Sequence, residues 1–355
     1  MNEPTMTGRP TVSVVVPNYN YAKTLGACLD AVLAQTYPPA EIVVVDDGSS
    51  DDSVRIAESY PCTVVSTPNR GVSAARNLGV LKSSGDIVFF LDSDIALRPD
   101  ALQRAVAALE SDPGLGFVCG VYDDVPLFDD GPVERYKVLH GHYWRVRAAG
   151  PVHAAFFSLG AVRRSVFEAA GPLDETLRAT EDVEYGARLA PFSRIELRAD
   201  IVGRHDDDDR LGILLRKQFT RSVPLVSLFA ERGRGRPKLA ETAYRPAAVA
   251  LLCLSAAGFT AAMLPGAPSQ ALVVLGGAGL LGYTVVERRL LNFARRRAGL
   301  RFLPVFYGLH ALMNLTTGAA AAVGGVRWLL SADFRRLYAG SPKPLTRMPG
   351  GPADA

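Results

Sequence analysis

Asp92 and Asp94 flank Ser93 at the end of an apolar run, Ile87 to Leu91. A short apolar run stopped by turn residues has the pattern of a central parallel strand. Open α/β sheets bind ligands beyond the carboxyl ends of such strands. Acidic groups held against a sheet edge are costly unless they meet a cation, and oxygen ligands favour Mg²⁺ or Mn²⁺. The same triplet also suits a turn in which Asp94 caps the next helix, with Pro99 and Asp100 helping to start it. Other clusters could do chemistry too: Asp46-Asp47 after a second apolar run, Glu181-Asp182, and His205 before four aspartates.

The elements that must position these groups follow a regular order. Thr11 to Val16 is a β-branched run ended by Pro17-Asn18-Tyr19-Asn20, and Thr24 to Gln35 has helical spacing. Glu41 to Val45 and Cys62 to Ser66 read as further strands, with a helix expected over Val72 to Lys82. Strands alternating with helices imply an α/β, mostly parallel, doubly wound sheet whose polar loops collect on one edge. No GxGxxG follows the first strand and no GxxxxGK[ST] occurs anywhere. A dinucleotide fold and a P-loop NTPase therefore lose their main support.

The chain has 355 residues and a formal charge of +3, with acids dominating the front and arginines crowding Arg232 to Arg301. Because the basic clusters flank apolar runs, they favour an anionic membrane surface, and no nucleic-acid partner is expected. The four cysteines have no zinc spacing, so reduced thiols in the cytoplasm are expected. The first ten residues hold no apolar segment, so no cleavable signal peptide is expected there. The expected organisation is a flexible stretch over 1–10, an α/β domain over 11–230 and a basic linker over 231–245. An α-helical membrane region over 246–330 and a basic, disordered tail over 331–355 would follow. Within the domain, 211–229 reads as an amphipathic interfacial helix interrupted near Pro224. Three apolar runs, about 246–264, 268–286 and 302–326, could span a bilayer. Charge bias puts the outer ends of the first two in the cytoplasm and leaves the third undecided. A multi-pass cell-membrane protein with a cytoplasmic catalytic domain is the expected location.

The ordered set Pro17-Asn18-Tyr19-Asn20, Asp46 to Asp51, Gly71 to Gly79 and Leu91 to Asp94 resembles the inverting family 2 glycosyltransferases. That resemblance covers roughly residues 11 to 220 and implies the GT-A nucleotide-sugar-binding fold. It implies a metal-dependent hexosyl transfer from a nucleotide-diphosphate sugar, a UDP-sugar first, with Pro17, Tyr19, Asn20, Asp46 and Asp47 at the nucleoside. Arg76 would approach the donor phosphates or pair with the acids at Asp46, Asp47 or Asp92. Asp92 and Asp94 match the family's DxD motif, with Asp94 contacting Mg²⁺ or Mn²⁺ and Asp92 contacting sugar, ribose or metal-bound water. His205 would either complete the ion's coordination or stand as a solvated loop residue beside the acidic run. Asp182 would be the general base and Glu181 its orienting partner, although Thr180 could instead make this a capped helix start with first-turn acids. Where relatives carry an aromatic residue before Asp174, this chain has Leu173.

The expected acceptor is a lipid-linked or cell-surface glycan hydroxyl, as in envelope polysaccharide synthesis, with membrane lipid as a further partner. Alternatives are a polyprenyl-phosphate sugar synthase, a non-catalytic sugar-nucleotide-binding membrane protein and a nucleotidyltransferase. The QxxRW signature of processive synthases is absent.

Overall fold

The computed structural model describes residues 8–177, 181–232 and 243–336. Most of the tail expected over 331–355, most of the 231–245 linker, most of the 1–10 stretch and the capping residue Thr180 lie outside the described residues; the start of that tail, expected to be disordered, forms helix Ala332–Arg335. Contacts divide the chain into two compact units. One runs to Asp123 and resumes over Ala148–Asp206; the other holds Asp124–Arg147 and the described residues from Asp207 onward. The α/β region expected over 11–230 overlaps both.

The first unit is built on β1 (Val12–Asn18), β2 (Glu41–Asp46), β3 (Thr63–Ser66), β4 (Ile87–Leu91) and β5 (Ile95–Leu97). It continues with β6 (Leu115–Tyr122), β7 (Gly150–Val152), β8 (Leu159–Arg163) and β9 (Arg194–His205). They form one sheet in the order β3-β2-β1-β4-β8-β6-β9-β5, with β7 beside β9. The first four strands of that order are parallel, as their alternation with helices implies. Antiparallel β8 then separates β4 from β6, and β6 and β9 are parallel again.

Burial explains why these segments are strands. In β1, Val12, Val14 and Val16 enter one core while Val15 enters the other, and β4 divides its residues the same way. Side chains alternate across a strand, so a wholly apolar strand needs cover on both faces. Helix Ala22–Leu33 supplies it on one side with Leu25, Cys28, Leu29 and Val32. Helix Val72–Leu81 approaches the other face so closely that a Cβ on Gly79 would lie 2.2 Å from Val15 Cγ1.

The second unit is helical: Pro132–Ala148, Leu211–Ser222, Leu225–Arg232, Pro246–Ala262, Ser269–Ala298, Leu303–Leu330 and Ala332–Arg335. Pro224 separates two helices because it lacks an N–H to continue the first. Among the described residues, only Ser269–Ala298 is long and apolar enough to cross a membrane, and 17% of its apolar window is buried. Three spans are therefore not found. Pro246–Ala262 is apolar but has 17 residues, and Leu303–Leu330 carries His310 and Asn314 into the interior of its unit. Tyr136 Oη lies 3.0 Å from His310 Nδ1, and Asn314 donates to the His310 carbonyl. Nor does the helix expected over 268–286 stop at the first charges. It runs on to Ala298 because Leu290 and Ala294, four residues apart, keep one face buried.

Candidate functional site

The carboxyl ends of β1, β2 and β4 meet at a cavity of about 590 Å³ in the first unit. Pro17, Tyr19 and Asn20 come from the loop after β1, Asp47 from the loop after β2, and Asp92 and Asp94 from the turn after β4. Six of the residues expected at the donor are thus gathered around one space. Asp46 and Arg76 are not among its lining residues.

Asp46 has work elsewhere. Its Oδ1 accepts from Asn18 Nδ2 and Ser49 Oγ, and its Oδ2 accepts from the Ser49 N–H. The buried carboxylate therefore fixes the two nucleoside-side loops to each other. Asn20 adds to this, with φ 58 and its Oδ1 accepting the Ser50 N–H. Asparagine tolerates that left-handed conformation better than most side chains. Asp47 takes N–H groups from Arg70 at 2.7 Å and Gly71 at 2.8 Å. Gly71 has φ 97, which turns the chain into helix Val72–Leu81 directly below the carboxylate. Tyr19, 47% exposed, presents a ring on which a planar base can pack.

Asp92 and Asp94 have different surroundings. Asp92 Oδ1 accepts from Arg76 at 2.9 Å, and its backbone N–H donates to the Ser158 carbonyl. Burial pushes the Asp92 carboxyl up; Arg76 opposes this and the neighbouring Asp94 adds to it. About a third of the side chain (31%) still faces the cavity. The Oδ2 of Asp94 lies 3.5 Å from His205 Nε2, whereas its Oδ1 is buried without a hydrogen-bond partner among the described residues. Buried polar atoms are seldom left so. An unmatched carboxylate oxygen, a second carboxylate and an imidazole suit a divalent cation of the Mg²⁺ or Mn²⁺ kind.

Arg76 stands behind the cavity, 4% exposed, and donates to Asp92 and, at 3.2 Å, to Glu181. Burial disfavours its charge, but Asp92, Asp182 and Glu181 together reverse that and raise its pKa. One guanidinium thus joins the expected donor-side acid to the expected acceptor-side pair. Of the pairings read from sequence, the one with Asp92 is present. Glu181 and Asp182 open helix Glu181–Leu189, where acids face the positive end of the helix dipole. The Asp182 carbonyl accepts the Ala155 N–H, which fixes that helix start beside the Ala154-Ala155 segment.

Sequence reasoning missed several contributors. Asn18, Asn69 and Ser93 line the cavity, and each lies inside or beside a quoted motif. Tyr122, at the end of β6, stacks on His205 with ring centroids 4.4 Å apart, and no spacing in the sequence announces it.

This arrangement can be compared with known proteins. The mannosyltransferase PcManGT from Pyrobaculum calidifontis, solved with GDP-Man and Mn²⁺, is similar with a TM-score of 0.54 and 24% identity. The match covers 91% of this chain and 88% of that one. The fold is that of a GT-A domain, the nucleotide-sugar-binding α/β class. Residues 13–170 match the family described as Glycosyl transferase family 2. The glycosyltransferase AglE of Haloferax volcanii is 33% identical over 220 residues, which are 59% of this chain and 71% of AglE. An uncharacterized glycosyltransferase of Bacillus subtilis, EpsJ, is 35% identical over 206 residues, 53% of this chain and 57% of EpsJ. The chain belongs to glycosyltransferase family 2.

Proposed function

We propose that this glycosyltransferase moves a sugar, with inversion, from a nucleotide-diphosphate donor to a hydroxyl of a lipid-linked or cell-surface glycan. The observation that carries the reading is the convergence of Asp47, Asp92 and Asp94 on one cavity, with a buried Asp94 oxygen left to bind. Asp47 accepts a ring N–H of the base, uracil first, and Tyr19 packs against it. Asp94, Asp92 and His205 hold Mg²⁺ or Mn²⁺. That ion, when bound, offsets charge on the departing diphosphate. Asp182 takes the acceptor's proton and Glu181 orients it, with Arg76 tying Glu181 to the donor side. Six exposed large apolar residues of helix Ser269–Ala298, among them Val274 (71%) and Leu281 (67%), support attachment to a membrane. The arginines that follow its apolar half favour the cytoplasmic side for the catalytic unit.

The test is nucleoside diphosphate release from UDP-, GDP- and TDP-sugars by detergent-solubilised protein with Mn²⁺ or Mg²⁺, beside Asp94→Asn. Turnover of one donor, lost on chelation and in the variant, would name the sugar. Where no donor turns over, calorimetry takes over: metal-dependent binding of a donor means an acceptor is needed, and no binding of any donor overturns the proposal. Supplying lipid-linked and soluble acceptors in parallel decides between them, and transfer only to soluble ones would remove the lipid part.

A further inference from the structure

We infer that Tyr122 and Ser158 form a positioning pair that sets the plane of the His205 imidazole toward Asp94. The inference rests on the proposal that Asp94 and His205 hold a divalent cation. Tyr122 and His205 stack at 4.4 Å between centroids with 7° between ring planes. The phenol is fixed at its far end, where Tyr122 Oη donates to Ser158 Oγ at 2.9 Å. Ser158 also takes the Asp92 N–H on its carbonyl at 2.9 Å, so one residue registers both His205, through Tyr122, and Asp92.

The sheet explains how this contact arises. In the parallel pair of β6 and β9, Tyr122 stands opposite Gly203, and a register shift after Gly120 sets that match. Side chains two apart share a face, so His205 follows Gly203 on the side where Tyr122 lies. Gly203 must remain bare, because a Cβ there would come within 2.5 Å of Ile95 Cγ2 and 2.7 Å of Leu159 Cδ1. The register beyond is held on both sides: the Asp123 N–H donates to the Gly203 carbonyl, and the Asp206 N–H to the Asp94 carbonyl. An imidazole turns easily about its side-chain bonds. A flat ring against one face removes that freedom and leaves Nε2 on the Asp94 side, 3.5 Å from Oδ2. Groups that orient metal-binding side chains commonly carry about a tenfold to hundredfold effect on metal affinity.

The experiment is Mn²⁺ titration of the full-length, metal-stripped protein in detergent, followed by electron paramagnetic resonance and calorimetry. Four variants are compared: Tyr122→Leu, Tyr122→Phe, Ser158→Ala and Asp94→Asn. Tyr122→Leu should weaken Mn²⁺ about tenfold and reduce the imidazole-nitrogen coupling in the electron-spin-echo spectrum. Tyr122→Phe, which keeps the ring but loses its tether to Ser158, should weaken Mn²⁺ by less than Tyr122→Leu and by the same factor as Ser158→Ala. Thermal midpoints separate loss of positioning from loss of fold, and the Phe and Ala variants test the pair even where Leu unfolds. If Asp94→Asn abolishes binding while the Leu, Phe and Ala variants all bind as the parent does, the positioning role is overturned. If Asp94→Asn itself changes nothing, the metal assignment fails instead.

Discussion

At the scale of single residues, what separates the acids is how much of each is already used. Both oxygens of Asp46 are engaged within the protein, Asp47 holds two backbone N–H groups at the cavity edge, and Asp94 keeps a buried oxygen with no partner. Asp94→Asn keeps the shape and removes the charge, so Mn²⁺ affinity measured by calorimetry should fall at least about tenfold while the thermal midpoint changes little. A fall in midpoint with unchanged affinity would mean that Asp94 is structural. Arg76 should behave in the opposite way. Truncation to Met leaves Asp92, Glu181 and Asp182 facing one another without their shared counter-charge. Breaking a buried ion pair from one side costs about 3–5 kcal/mol. Asp92 is only partly enclosed, so roughly 3 kcal/mol is expected, read as a lowered thermal midpoint in detergent. An unchanged midpoint would mean that the three acids do not need Arg76.

At the scale of elements, the first four strands were legible because their apolar runs stop abruptly at Pro17, Asp46, Ser66 and Asp92. β8 was not, since Leu159–Arg163 is short and its antiparallel place between β4 and β6 is set by contacts far along the chain. Arg76 shows the same limit in the site. Its type and helix were readable, but Asp92 lies 16 residues away and Glu181 lies 105 away, and only the folded sheet brings them to one guanidinium. The end of helix Ser269–Ala298 was misjudged because Glu287-Arg288-Arg289 resembles a boundary, whereas burial of Leu290 carries the helix on.

Two element-level predictions follow from packing and hydrogen bonding. Gly79→Ala would press a methyl against Val15, and overpacking of this kind costs about 1–3 kcal/mol. A thermal midpoint equal to the parent's would show that helix Val72–Leu81 can shift freely. At the opposite sheet edge, the Thr11 N–H and hydroxyl both donate to Asp86 Oδ2, joining the start of β1 to the start of β4. Those bonds hold the Asp86 carboxyl below its ordinary range. A lowered folded-state pKa gives stability that is present above the unfolded value, about 3.9, and lost as pH falls through the folded value. The difference in midpoint between the parent and Asp86→Asn should therefore be constant from about pH 7 to pH 5 and shrink below about pH 4. A difference that does not vary with pH would assign the effect to shape alone.

At the scale of the whole molecule, the chain separates its chemistry from its apolar surface. The acids that converge on the cavity belong to the α/β unit, while Met263, Leu264, Val273, Val274, Leu275 and Leu281, all at least half exposed, belong to the helical one. A water-facing surface of that kind would invite aggregation, so its cover must come from outside the unit. The flanking arginines choose among covers. Arg288, Arg289, Arg295 and Arg296 are exposed on the continuation of the same helix, where lipid headgroups would meet them. If lipid is the cover, a charge placed among the apolar residues should act on membrane attachment and leave the catalytic unit intact. Leu281→Arg sets an arginine into the apolar half at a cost of about 3 kcal/mol for a bilayer-centred position. The expected outcome is a larger carbonate-extractable fraction of the expressed protein, with Mn²⁺ affinity in detergent equal to the parent's. A Leu281→Arg protein that stays in the membrane pellet as fully as the parent would exclude this helix as the anchor. Loss of Mn²⁺ affinity in the extracted variant would mean instead that the α/β site depends on the helical unit for its shape.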